Sequence, residues 1–70
     1  MEKSVLISIV PYPTGKGWVL VENFTEADGR LYVLQRCNPS EYLQGLKKMA
    51  LSDCARYKFQ GYTVTYEDIN

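Results

Sequence analysis

Histidine is missing from this 70-residue chain, and Cys37 and Cys54 are its only cysteines. The usual general base at neutral pH is therefore absent, and two thiols without histidine cannot complete a four-ligand zinc site. An excess of either charge is missing too, because eight basic side chains balance eight acidic ones. That balance argues against a nucleic-acid binder working through bulk electrostatics, and against an acidic mimic of DNA. No apolar run approaches the roughly 18 residues of a membrane span. The run Val5 to Val10 ends at Pro11 without a small-residue cleavage site, and its length suits a strand. These absences lead us to expect one domain over residues 1–70, cytoplasmic, with reduced thiols, no cofactor, no metal and no membrane partner.

What is present reads as short elements separated by turn chemistry. Residues 3–10 are rich in β-branched types, with Val5, Ile7 and Ile9 on one face and Leu6, Ser8 and Val10 on the other, which suits a central strand. Two prolines and two glycines make residues 11–17 a loop. A second strand is expected from Trp18 to Phe24, a turn at Ala27-Asp28-Gly29, and a third, antiparallel strand from Leu31 to Cys37. Asn38-Pro39-Ser40-Glu41 has the composition of a helix start, with Asn38 as cap and Pro39 in the first turn. At 100° per residue, Leu43, Leu46, Ala50, Cys54 and Tyr57 share one helix face, with Tyr42 and Met49 at its margin. Gly45 within that helix suggests close approach to the sheet. Gly61 closes the helical region, and residues 62–66 alternate as a fourth strand.

The expected fold is thus α+β in the order β-β-β-α-β: a four-stranded, mainly antiparallel sheet with one helix packed on one face. A crossover helix would bring the last strand parallel to the first, beside it at the far edge. The other face, expected to carry Leu6, Val10, Trp18 and Leu20, has no second layer in the chain and calls for a partner, a dimer or a curled sheet.

Catalytic readings fail by missing parts. Neither cysteine has an evident activator, so both read as small core side chains. Glu67 and Asp68 are adjacent and would point to opposite faces, while Glu22, Glu26 and Asp28 read as a solvated rim around a turn. Thr14-Gly15-Lys16-Gly17 fails as a phosphate loop, because the required glycine position holds Val10 and the required Ser or Thr position holds Gly17.

Two resemblances bear on function. Lys16-Gly17-Trp18-Val19-Leu20-Val21, followed by Asp28-Gly29 and Leu31-Tyr32-Val33-Leu34, resembles the second and third strands of cold-shock and related OB-fold proteins, whose aromatics stack bases. The chain departs from that family at Val19, where a glycine is usual, at Leu20, where an aromatic is usual, and in having no histidine or fifth strand. The stretch Leu46 to Cys54 followed by Phe59-Gln60-Gly61-Tyr62-Thr63-Val64 is similar to small phage-encoded inhibitors of bacterial machinery, including some anti-CRISPR proteins and an RNA-polymerase inhibitor. That likeness implies inhibition by occlusion, a small rigid domain docking on a larger protein or nucleoprotein complex in the bacterial host cytoplasm.

Nine aromatics in seventy residues suit interface anchoring, and Leu51 lies off the buried stripe between Lys47 and Lys58. The leading expectation is therefore a non-enzymatic protein-contact module with Tyr12, Lys16, Trp18 and Leu51 as contacts. Two alternatives stand beside it. One is a single-stranded nucleic-acid binder using Trp18 and Tyr32 as stacking platforms beside Lys16, Arg30 and Arg36. The other is a structural subunit that forms a homo-oligomer, the simplest being a homodimer.

Overall fold

Alternating β-branched residues, one amphipathic segment and Gly-marked turns produce five elements: β1 (Ser4–Pro11), β2 (Trp18–Thr25), β3 (Leu31–Gln35), α1 (Leu43–Phe59) and β4 (Thr63–Glu67). The computed structural model describes residues 2–67. Asp68, half of the carboxylate pair considered above, lies outside them. The strands form one mixed sheet in the order β3-β2-β1-β4, antiparallel at both hairpins and parallel between β1 and β4. This is the expected β-β-β-α-β arrangement, with the last strand parallel beside the first and α1 against one face. No helix among the described residues is long and apolar enough to cross a membrane.

Register decides which side chains form the core. Ile9 lies opposite Leu20, Ile7 opposite Glu22 and Val5 opposite Phe24, and all six are buried on the side that α1 covers. Leu46, Ala50 and Tyr57 close over them from the helix. Leu20 is fully buried there, and Trp18 packs partly against the same core, so neither lies on the open face as expected. The expectation failed because Trp18 to Val21 is apolar at both parities, which leaves alternation silent; pairing with β1 fixes the faces. Leu6 and Val10 do lie on the open face.

The helix starts at Leu43, not at Asn38. Tyr42 occupies the cap position without a side-chain capping bond. Ser40 instead bridges to Trp18, donating N–H to the Trp18 carbonyl at 2.9 Å and accepting from the Trp18 N–H at 2.8 Å. That tertiary pairing holds Ser40 in extended backbone, which overrides the local capping signal. Gly17 permits it: a Cβ there would come within 2.5 Å of the Ser40 carbonyl oxygen. Gly45 sits against the Tyr42 ring, not the sheet. At the other end the chain behaves as anticipated. Gly61, with φ of 94°, donates to the Lys58 carbonyl while Tyr62 donates to the Tyr57 carbonyl, the paired bonds of a glycine-terminated helix.

Candidate interaction surface

A helix about 10 Å wide cannot roof four strands spaced about 4.8 Å apart. Here α1 lies over β4, β1 and β2 and stops short of β3. All five residues of β3 are consequently exposed, although four are apolar or aromatic and none is charged. Leu31 and Val33, on the open face, are 76% and 65% exposed; Tyr32 and Leu34 point to the helix side without helix cover. A groove of about 310 Å³ runs along this strip, lined by Asn23, Phe24, Thr25, Leu31, Tyr32 and Val33.

The backbone of β3 is half used. The Arg36 N–H donates to the Leu20 carbonyl at 2.8 Å, and the Arg30 carbonyl accepts from Glu26 N–H at 2.9 Å, so even-numbered residues turn their polar groups toward β2. In a pleated strand alternate residues face opposite ways. Leu31, Val33 and Gln35 therefore present N–H and C=O outward, along the free edge. Beyond Gln35 the edge closes, because the Gln35 side-chain amide donates to the Cys37 carbonyl at 2.9 Å.

Polar ties fix this uncovered strand at both ends. At one end Glu26 Oε2 accepts from the Tyr32 hydroxyl at 2.8 Å and from the Tyr62 hydroxyl at 2.6 Å, while Tyr32 stacks on Phe24 with centroids 4.8 Å apart. Donation from Tyr62 and Tyr32 holds the Glu26 carboxyl below its usual range, and the same bonds push both phenols up. At the other end Arg36 Nε donates to Asp53 Oδ2 at 2.9 Å, tying the strand's exit to the helix, and Arg56 holds Asp53 Oδ1 at 3.0 Å.

Beside Asp53 sits Glu22, fully buried under the helix and not on a solvated rim as expected. Its Oε1 accepts from the Tyr57 hydroxyl at 2.7 Å, and its Oε2 has no partner. Burial above all, joined by a bond to Asp53 that is available when Glu22 is protonated, raises the Glu22 carboxyl from the ordinary 4.5 to about 7. Tyr57 is pushed up by burial and by its bond to Glu22. The two carboxyls are shielded from solvent, and with Tyr57 and the partly exposed Arg36 and Arg56 they lock β2, the exit of β3 and α1 together. Among the described residues no three Cys, Asp or Glu side chains converge to hold a metal ion. Cys37 and Cys54 are free thiols packed partly against the core, and burial pushes the Cys54 thiol up.

The expected contact residues fall on separate surfaces. Tyr12 is half-buried with its ring against Gly15, Lys16 is exposed at the β1–β2 loop, and Trp18 packs under the helix side. Leu51 is exposed on the outer side of α1, which faces away from the sheet. The stacking set is no more contiguous. Tyr32 lies opposite Phe24, six positions along β2 from Trp18, a separation of about 20 Å that neighbouring bases do not span. Arg30 and Arg36 are each bonded to an acid of their own chain, Asp28 at 2.8 Å and Asp53 at 2.9 Å. The sheet is open at β3 and β4, unlike a closed OB barrel.

Sequence reasoning missed Leu31, Val33 and Leu34 as surface residues, and Glu22 and Asp53 as buried ones. A signal for Asp53 was present: it stands three residues after Ala50 and four before Tyr57, inside the apolar stripe. No family model, no curated protein and no solved structure matches the chain.

Proposed function

We propose that this chain is a non-enzymatic protein-contact module that works by strand addition, the edge of β3 pairing with an extended, uncharged apolar segment of another polypeptide. One observation carries the reading: β3 is an edge strand with apolar side chains on both faces, no charge and a row of outward N–H and C=O groups. Natural sheets blunt such edges with lysine, proline, bulges or covering segments, and β3 has none of these within its five residues. The ties at Glu26 and Asp53 pre-organise the strand, which reduces the entropy lost on pairing. Occupying a strand edge of a larger assembly blocks whatever that edge otherwise pairs with. In that form the module is the occlusion inhibitor, phage-encoded and active in a bacterial host cytoplasm, that the anti-CRISPR-like resemblance implies.

Val33→Pro tests the reading cleanly, because the Val33 N–H points outward and its loss leaves the ladder to β2 intact. Random decapeptides selected on the immobilised chain should be β-prone and apolar, should perturb the Leu31, Val33 and Gln35 amides in NMR spectra, and should not bind Val33→Pro. Equal binding by the proline variant, or perturbation centred on Leu51 or Lys16, would overturn the proposal.

A further inference from the structure

We infer that the resting occupant of the β3 edge is a second copy of this chain, paired antiparallel about Val33. The inference rests on the strand-addition reading and goes beyond it by naming the partner. The outward groups belong to Leu31, Val33 and Gln35, which are symmetric about Val33. Antiparallel pairing of two copies in that register sets Val33 against Val33 and Leu31 against Gln35, and it satisfies every outward N–H and C=O of both strands. The intervening positions set Tyr32 against Leu34 of the second copy, an aromatic–aliphatic cross-strand pair of the kind that stabilises sheets.

Charge permits the same register. It brings Arg30 near Arg36 of the second copy, yet each guanidinium already has an acid in its own chain, Asp28 or Asp53. The strand itself is uncharged and the chain's formal net charge is zero, so no long-range repulsion opposes two copies meeting. The result is an isologous dimer, an eight-stranded sheet with both copies of α1 on one face. Self-pairing keeps the edge from indiscriminate association, and a heterologous strand must compete with it.

Sedimentation equilibrium and isotope-edited NMR on mixed labelled and unlabelled chain test this together. The wild type should dimerise at micromolar concentration and give an intermolecular contact between the α-protons of Tyr32 and Leu34. Val33→Pro should weaken the dimer roughly tenfold or more through lost hydrogen bonds. Leu31→Lys/Val33→Lys, which keeps every N–H, should weaken it as well, with circular dichroism reporting that both variants fold. A wild type that stays monomeric at high micromolar concentration overturns the dimer. If selected peptides then still protect the Val33 amide, strand addition survives without it. Dimerisation unchanged in both variants overturns the assignment of the β3 edge itself.

Discussion

Strands β1 and β3 are similarly apolar, yet Val5, Ile7 and Ile9 of one are among the most buried residues while every residue of the other is exposed. The difference does not lie in side-chain chemistry. It lies in reach, since a single helix roofs β4, β1 and β2 and cannot extend to the fourth position. Apolar patterning specifies a strand; the neighbours decide whether it becomes core or contact surface.

Substitutions on the two strands should therefore separate sharply. Ile7→Ala removes fully buried methyl groups and should cost about 3 kcal/mol of unfolding free energy in urea melts, enough to threaten so small a domain. Val33→Ala should change stability by no more than about 0.5 kcal/mol while weakening strand pairing. Equal costs at the two sites would erase the distinction. The polar tie between the regions should come next. Asp53→Ala releases Arg36 and Arg56, both able to reach solvent, and should cost about 2 kcal/mol, with faster amide exchange at Arg36 showing that the exit of β3 has loosened.

A smaller effect concerns pH. The folded-state Glu22 carboxyl titrates near 7 against an ordinary 4.5, so the native chain binds the extra proton between those values. Its stabilising effect is complete below about 4.5 and is lost as pH rises through about 7. The melting temperature should fall by roughly 5 °C or more between pH 5 and pH 8, and Glu22→Gln should flatten that decline. Glu26, held below its usual range, works in the opposite sense and loses its contribution as pH falls, which confines the Glu22 signal to the range above pH 5. Smallest of all, Leu51→Ser on the outer side of α1 should leave both stability and strand pairing within experimental error.

Much of the fold is legible in the sequence. The β-branched alternation of residues 3–10, the Asp28-Gly29 turn, the helix stripe and the Gly61 terminator each carry a local cause that the structure honours. Apart from Gly45, which meets its near neighbour Tyr42, the main misreadings originate in long-range pairing. Ser40 is withdrawn from the helix by Trp18, Leu20 is turned inward by Ile9, and Glu22 is carried under the helix by its place opposite Ile7. None of these partners is near in sequence. An uncovered sheet face was anticipated, but the most exposed apolar part of the sheet is the strand that the helix fails to reach.

Amide hydrogen exchange along β3 measures that claim directly. In dilute solution the Val33 N–H should exchange freely while the Leu34 and Arg36 amides are protected, and on association with peptide or second copy Val33 should become protected in turn. A Val33 amide already protected in the dilute monomer, or still unprotected in the complex, would contradict the account.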